Sequence, residues 1–338
     1  MKSKLIWLYL PLTIAVNALA TESSTVVPNE PPAVLPNELS KIGKFTIYDE
    51  QAHELLDANA ELEVLASGFE WTEGPVWDTD NQRLLFVDIP NNNIHSYSPS
   101  SGLDVFLHPS NRANGLLIDH KRQLVMMQTG ARAVSKLVSG LDSDKHTITQ
   151  VVSHFQDKRL NSPNDVAQHK NGTLFFTDPP YGLAKQLNDP AKELDFQGVY
   201  RLSTDGELSL IDKELTFPNG IAISPDNKTL YVAVSDEASP AWYQYSLDEQ
   251  GNVTDKSLLF KPAFKGIAHG VPDGLKVHSS GVVFATGPQG VWLFAADKRL
   301  LAHIAMPGFT ANLAFNQDES AIYLTAHNEL RRLKLNSL

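Results

Sequence analysis

The stretch NGIAISPDNKTLYVAVS, residues Asn219–Ser235, contains the pattern that decides the fold. It opens with a carboxamide residue, continues as a short apolar strand, turns at residues 225–227 (Pro-Asp-Asn) and ends in the β-branched and aromatic strand Leu230–Val234. Pro, Asp and Asn are typical hairpin-turn residues, and the residues after them have high β-propensity. The stretch therefore predicts two adjacent antiparallel strands with a carboxamide at their entrance.

The same unit recurs five more times along the chain. Each copy begins with Glu, Asp or Asn, and successive copies begin 39 to 55 residues apart. The opening residues are Glu73, Asn114, Asn164, Asn219, Asp273 and Asn312. Less regular strand-like segments lie between the copies, enough for four strands per repeat. This period predicts an all-β fold, a six-bladed β-propeller, and the register shared by six copies argues against a β-sandwich with similar strand spacing.

The ring of blades must be closed, because an open edge strand exposes unpaired backbone groups. A spare strand-like segment, Glu61–Leu65, precedes the first copy, whereas only Leu330–Leu335 remains after the last copy. We therefore expect the last blade to be closed by an N-terminal strand.

The composition excludes several classes of function. The chain has 338 residues, with 28 Lys and Arg against 39 Asp and Glu, and a formal net charge of −11. Such a chain repels nucleic acid, whose binding depends on basic side chains. It has no cysteine, which excludes disulfides, cysteine-ligated zinc and thiol nucleophiles. It also has no G-x-S-x-G or H-E-x-x-H motif, which argues against a serine-hydrolase elbow and a zincin site.

The first twenty residues are typical of a secretory signal peptide. Lys2 and Lys4 precede an apolar run at residues 5–16, and the segment ends in Ala-Leu-Ala at Ala20. A basic start, a short apolar core and small residues at its end predict cleavage after Ala20 and a secreted or periplasmic protein. The alternative is a membrane anchor, but the run is shorter than the roughly 20 residues of a bilayer span, and Pro11 interrupts it.

The rest of the chain divides into two predicted regions. Residues 21–41 carry four prolines among polar residues and are expected to form a linker. Residues 42–338 are expected to form the catalytic propeller domain. No later stretch approaches the roughly 18 apolar residues of a membrane helix, so we expect no membrane contact in the mature form. The sequence leaves the oligomeric state open.

The six opening residues predict the chemistry. The innermost strand of each blade lines the central channel, so equivalent positions converge near the axis. The carboxylates of Glu73 and Asp273 would then meet four carboxamides, with no Lys or Arg among the six residues. Converging carboxylates repel unless they are protonated or bound to a cation, and oxygen donors favour a hard divalent ion. The alternative is that Asn-Gly and Asp-Gly serve only as turn formers.

Several strings resemble the gluconolactonase/regucalcin (senescence marker protein) family, and most of all its bacterial gluconolactonase branch. They are EGPVW, LLFVDIPNNNIHSY, NSPNDV, FTDPPYG, FPNGIAISPD and VPDGLKV. They follow one another across residues 60–335, which makes the resemblance more specific than any one motif. It implies a six-bladed propeller that holds one divalent cation and hydrolyses a sugar lactone such as glucono-1,5-lactone. Ca²⁺ is the expected ion, with Zn²⁺, Mn²⁺ or Mg²⁺ as alternatives.

The resemblance also implies which residues form the metal site. They are Glu73 of EGP, Asn164 of the Asn-Asp pair, Asn219 of FPNG and Asp273 of PDG. The Asn164 position lies nearer to the substrate or to a metal-bound water in this family, and Asp273 is the expected proton acceptor of the attacking water. Regucalcins have a substrate-contacting arginine where this chain has Ser162, so that contact is not carried over.

Three further residues are candidate substrate contacts. Asn114 lies on the predicted rim, and Tyr181 lies in the loop DPPYG, whose prolines predict a stiff wall over the channel mouth. His269, four residues before Asp273, is a rival general base. The alternatives are a rigid strand connection for the loop and a solvated histidine. For the function of the whole protein, the alternatives are a metal-dependent hydrolase of another lactone, ester or phosphotriester, and a non-catalytic ligand-binding propeller.

Overall fold

The fold is seen in a computed structural model, in which residues 32–263 and 270–336 are described. The predicted signal peptide, the first part of the predicted linker and His269 lie outside the described residues. Within the described ranges the regular structure is almost entirely β. A single helical turn, α1 (Ala52–Leu55), and a 3-10 turn at Gln186–Asn188 are the exceptions there.

The strands follow one another along the chain in groups of four. Before the first group come β1 (Ser40–Ile42), β2 (Phe45–Ile47) and β3 (Leu62–Ser67). The first two groups are β4 (Thr72–Asp78), β5 (Arg83–Asp88), β6 (Asn93–Ser98), β7 (Gly102–Leu107), β8 (Ala113–Ile118), β9 (Leu124–Gln128), β10 (Ala133–Leu137) and β11 (Ile148–Val152). A small hairpin and the third group are β12 (His154–Phe155), β13 (Lys158–Arg159), β14 (Val166–Gln168), β15 (Leu174–Asp178), β16 (Gly198–Leu202) and β17 (Leu208–Asp212).

The second half of the chain repeats the pattern. The fourth group is β18 (Pro218–Ile223), β19 (Thr229–Val234), β20 (Ala241–Leu247) and β21 (Val253–Phe260). The fifth is β22 (Leu275–Val277), β23 (Val283–Gly287), β24 (Gly290–Phe294) and β25 (Leu300–Ala305). The last is β26 (Asn312–Phe315), β27 (Ala321–Ala326) and β28 (Glu329–Lys334). Each group forms one antiparallel sheet, so the predicted six-bladed propeller is confirmed.

The last blade is closed by the N-terminal strand, as the strand count predicts. β3 pairs antiparallel with β28, with Leu62 opposite Leu333 and Ala66 opposite Leu330. The sixth blade therefore takes three strands from the end of the chain and its outermost strand from the beginning. This arrangement links the two ends of the ring through backbone hydrogen bonds.

The fifth blade carries two additional strands that the repeat pattern does not predict. β2 pairs with β25, and β1 pairs with β2, which extends this blade to six strands. The backbone N–H of Ala33 also donates to the carbonyl of Lys261. Among the described residues, the first strand begins at Ser40.

The cores lie between neighbouring blades. The second strands of the second, third and fifth blades, β9, β15 and β23, are buried along their whole length. Both faces of these strands meet another sheet, which explains their nearly continuous apolar sequences. Between the third and fourth blades, for example, Phe175 packs with Val232 and Tyr245 in one cluster. Of the helices in the described chain, none has the length and apolarity needed to cross a membrane.

Candidate functional site at the channel mouth

The predicted site residues lie where the innermost strands begin and where their pairing is irregular. The register between β4 and β5 shifts between Glu73 and Val76, and that between β18 and β19 shifts between Pro218 and Ile221. Such a bulge releases residues from the in-and-out alternation of a strand and re-aims their side chains. Asp273 lies two residues before β22. The strand entrances therefore present Glu, Asn and Asp side chains at one end of the channel.

Glycine follows the opening residue in four copies because the neighbouring blade comes very close at this point. A Cβ atom on Gly220 would lie 2.2 Å from the carbonyl oxygen of Asp273. A Cβ atom on Gly74 would lie 1.9 Å from the carbonyl oxygen of Asn114, and Gly74 also has a φ of +51°. These contacts bring successive opening residues together around the axis. The glycines of the Asn-Gly and Asp-Gly pairs are therefore required by packing between blades.

We expect Gly220→Ala to lower the free energy of unfolding by about 2 to 3 kcal/mol, because its Cβ atom meets backbone that cannot move aside. Urea denaturation measures this loss. Gly308→Ala is the matched control, because no atom of the described part of the chain lies within 4 Å of its Cβ position. Equal stability of the two variants would contradict the close packing of blades at the rim.

Two buried carboxylates, Glu73 and Asp273, interact at the mouth. Glu73 is 4% exposed, and its Oε2 accepts hydrogen bonds from the backbone N–H of Gly74 (2.7 Å) and from Nδ2 of Asn312 (3.2 Å). Burial, and then the nearby charge of Asp165, raise the pKa of Glu73 to about 7. Burial and the charges of Glu73 and Asp165 raise the pKa of Asp273 well above its ordinary value.

The Oδ1 atom of Asp273 is buried and has no hydrogen-bond partner among the described residues. An acceptor in that state costs free energy unless a donor or a cation meets it. Within residues 32–263 and 270–336, no group of three or more His, Asp or Glu side chains is arranged to hold a metal ion. Any cation here would therefore need carboxamide oxygens besides the carboxylates. The buried acceptor and the raised pKa values of Glu73 and Asp273 fit a divalent cation.

A third carboxylate and a lysine, neither among the predicted site residues, lie beside this pair. Asp165 Oδ2 lies 3.7 Å from Lys276 Nζ and accepts a hydrogen bond from the N–H of Ile221 (3.4 Å). Lys276 also donates to Oδ1 of Asn312 (3.3 Å). Lys276 pairs with Asp165, and its positive charge also lowers the pKa of Glu73, but by less than burial raises it. A lysine within an innermost strand, in DGLKV, is the sequence signal for this pair.

Asn219 is held in a defined orientation by Ser235. Its Nδ2 donates to Ser235 Oγ (2.9 Å), and Ser235 Oγ donates to the carbonyl of Pro272 (2.5 Å). With its amide nitrogen engaged in this way, Asn219 keeps its Oδ1 available as an acceptor. The same hydroxyl joins the fourth blade to the residue before Asp273.

Tyr181 reaches the same group of residues from the DPPYG loop. Its ring stacks on Phe217, with the centroids 5.4 Å apart. Its hydroxyl lies close to the side chains of Ser235, Asn219 and Asp273, and burial followed by the charge of Asp273 raises the pKa of this phenol. The residue is still 36% exposed, so the ring can contact a ligand that enters the mouth.

The remaining predicted residues lie on the neighbouring arc of the rim. Asn114 and Asn164 are both buried, at 7% and 4% exposure. The carbonyl of Asn164 accepts a hydrogen bond from the N–H of Gly115 (2.7 Å), which places the second and third strand entrances side by side. The structure thus brings together every predicted site residue that it describes. His269 lies outside the described residues.

Fold and site define a six-bladed β-propeller with an acidic, oxygen-lined site at one end of its channel. The model of the SMP-30/Gluconolactonase/LRE-like region matches residues 71–328. The chain belongs to this family.

Similar proteins and solved structures agree with this assignment. The gluconolactonase of Zymomonas mobilis is 38% identical over 312 residues, which cover 86% of each chain. The solved structure of a gluconolactonase from Xanthomonas campestris matches with a TM-score of 0.76 and 29% identity, covering 91% of this chain and 99% of that one. A calcium-binding regucalcin from Agrobacterium tumefaciens, at 18% identity, matches with a TM-score of 0.67 over 82% of this chain and 96% of its own and shares the fold. The protein is a lactone hydrolase of the gluconolactonase type.

Proposed function

We propose that the protein hydrolyses a sugar lactone such as glucono-1,5-lactone to the aldonic acid, with a divalent cation held at the channel mouth. The observation that carries this proposal is the convergence of Glu73 and Asp273, two buried carboxylates with raised pKa values. Lys276 is paired with Asp165, and its charge offsets only part of the effect of burial on Glu73. Membership of the gluconolactonase family supports the choice of reaction.

The residues that would hold the cation are Glu73, Asn164, Asn219 and Asp273. Carboxylate and carboxamide oxygens are hard donors that suit Ca²⁺, and the calcium-binding regucalcin of Agrobacterium supports the same ion. Zn²⁺, Mn²⁺ and Mg²⁺ are the alternatives to be tested beside it. When bound, such an ion polarises a lactone carbonyl and lowers the pKa of a water molecule.

The protein's own residues would supply the proton acceptor and the substrate contacts. Asp273 would accept the proton of the attacking water through a carboxylate oxygen that is not bound to the cation. The Tyr181 hydroxyl and the Asn114 carboxamide orient the hydroxyl groups of the sugar ring. His269 is the alternative base.

The substrate class is tested by acid release from glucono-1,5-lactone at constant pH, above the spontaneous rate. Other aldonolactones, a simple ester and a phosphotriester serve as comparison substrates. We expect the sugar lactones to be hydrolysed with the highest kcat/KM. If the ester or the phosphotriester is hydrolysed with the highest kcat/KM, that compound class replaces sugar lactones as the proposed substrate. If the protein binds these compounds but hydrolyses none of them, a non-catalytic propeller is favoured.

We also propose that the protein is exported and cleaved after Ala20. The mature chain would lose two lysines and carry a formal charge of −13, which disfavours nucleic acid as a partner. N-terminal sequencing of protein from the periplasm or medium should begin at Thr21. A full-length chain that remains in the cytoplasm would contradict this proposal.

A further inference from the structure

Ser162 holds the turn that carries Tyr181. Its Oγ donates to the carbonyl of Pro179 (2.6 Å) and accepts from the N–H of Gly182 (2.8 Å), so one hydroxyl closes the loop on both sides of Tyr181. A Cβ atom on Gly182 would lie 2.7 Å from the Cβ of Ser162, which shows how closely the two segments pack. Ser162 is fully buried, so its own hydroxyl is not available to a substrate.

The neighbouring residue, Asn161, fixes the start of the same loop at Asp178. Its backbone N–H donates to Oδ2 of Asp178 (2.7 Å), and its Nδ2 donates to the carbonyl of Asp178 (2.9 Å). The loop therefore leaves β15 at a fixed point, and Ser162 sets its direction from there. Four hydrogen bonds join the segment that enters the third blade to the loop that leaves its second strand.

The far end of the Tyr181 side chain is fixed by other blades. The ring stacks on Phe217, and the hydroxyl lies close to Ser235 and Asn219 of the fourth blade and to Asp273 of the fifth. The phenol thus lies close to the proposed proton acceptor. A shift of the turn would move this hydroxyl relative to Asp273, because ring and backbone move together.

We infer that Ser162 is a positioning residue for the substrate, which acts by fixing the Tyr181 hydroxyl beside Asp273 so that this hydroxyl contacts a ring hydroxyl of the lactone. The inference rests on the proposed function. It assigns the recognition of the sugar ring at this position to a neutral hydroxyl carried by the loop. Ser162 takes part only through Tyr181.

A double-mutant cycle tests this coupling. Ser162→Ala and Tyr181→Phe should each lower kcat/KM on glucono-1,5-lactone by about five- to tenfold, chiefly through KM, the scale expected for one misplaced or missing hydrogen bond. The double variant should be no worse than Tyr181→Phe, because Ser162 has no effect once the hydroxyl is gone. The affinity for Ca²⁺, titrated on each variant, should stay unchanged.

Ser224→Ala is the matched control. Ser224 is also a buried serine that holds a turn, donating to Asp226 Oδ1 (2.6 Å) and accepting from the N–H of Thr229 (2.9 Å), but it lies in the β18–β19 turn at the other end of these strands. Its variant should keep the wild-type kcat/KM. Three results would each overturn the inference. They are losses of kcat/KM that multiply in the double variant, a wild-type kcat/KM in Ser162→Ala, and a weakened Ca²⁺ affinity of Ser162→Ala, which would mean that this variant disturbs Asn164.

A second measurement separates this inference from the proposed function. The ¹³C resonance of the Tyr181 ring, assigned by its loss in Tyr181→Phe, should shift in Ser162→Ala and stay in place in Ser224→Ala. A wild-type protein without lactone turnover would contradict the proposed function, and the resonance would still report whether Ser162 positions Tyr181. An unshifted resonance in Ser162→Ala would overturn the positioning role whatever the activity.

Discussion

Asp273→Asn is expected to lower kcat/KM for the lactone by about 10³-fold or more, the scale of a lost general base, and to weaken divalent-cation binding. The substitution keeps the size of the side chain but removes the basicity of a carboxylate whose buried Oδ1 has no hydrogen-bond partner among the described residues. It also removes one of the two charges that would balance the cation. Steady-state kinetics and a calorimetric Ca²⁺ titration on the same preparation measure both effects.

Asp212→Asn provides the matched control for this variant. Asp212 is likewise a buried carboxylate, but it ends β17 on the outside of the third blade, where it pairs with Lys256 (2.6 Å) and accepts from the Tyr245 hydroxyl (2.7 Å). Its variant should lose stability and keep its turnover while folded. Full turnover of Asp273→Asn, together with an inactive His269→Ala, would transfer the role of base to His269.

Glu73→Gln is expected to stabilise the cation-free protein at pH 8 by about 3 kcal/mol, as the raised pKa requires. In the folded protein Glu73 has a pKa of about 7, whereas the ordinary pKa of a glutamate is 4.5. Between these two values the folded state binds more protons than the unfolded state, so stability falls as the pH rises through this window. Glutamine removes the cost of the buried charge and also removes a cation ligand.

Urea denaturation in the presence of a chelator, at pH 5 and pH 8, measures this effect. The wild type should lose stability relative to Glu73→Gln between the two pH values, and saturating Ca²⁺ should reverse the order by stabilising only the wild type. Glu63→Gln is the control, because Glu63 is a partly exposed residue of β3 whose pair with Arg332 contributes little. A cation-free Glu73→Gln that is less stable than the wild type at pH 8 would contradict the account of the buried charge.

The parts of the fold that follow from local chemistry could be predicted from the sequence. Each hairpin combines a turn with a β-branched strand, so the period of copies such as Asn219–Ser235 is enough to predict six blades. Counting strands is enough to predict that β3 closes the ring. The additional strands β1 and β2 have only three residues each, too few for a recognisable alternation, and their place on β25 depends on tertiary packing.

The composition of the rim could be predicted, but its internal contacts could not. Equivalent positions in a radial repeat converge, so the carboxylates of Glu73 and Asp273 are expected to meet. The pair between Asp165 and Lys276 joins the third blade to the fifth, and the bond from Gly182 to Ser162 joins residues twenty positions apart. Such contacts depend on how the blades and loops pack in three dimensions, and no periodicity in the sequence reports them.

The central claim is that a divalent cation at the mouth is needed for lactone hydrolysis. The most direct test strips residues 21–338 with chelator, reloads the protein with one ion at a time and follows acid release from glucono-1,5-lactone at constant pH. We predict that turnover vanishes on stripping and returns with Ca²⁺ or another divalent ion that binds one to one, in the wild type but not in Asp273→Asn. Full turnover of a protein shown to be free of metal, or a protein that binds no divalent ion, would contradict the claim.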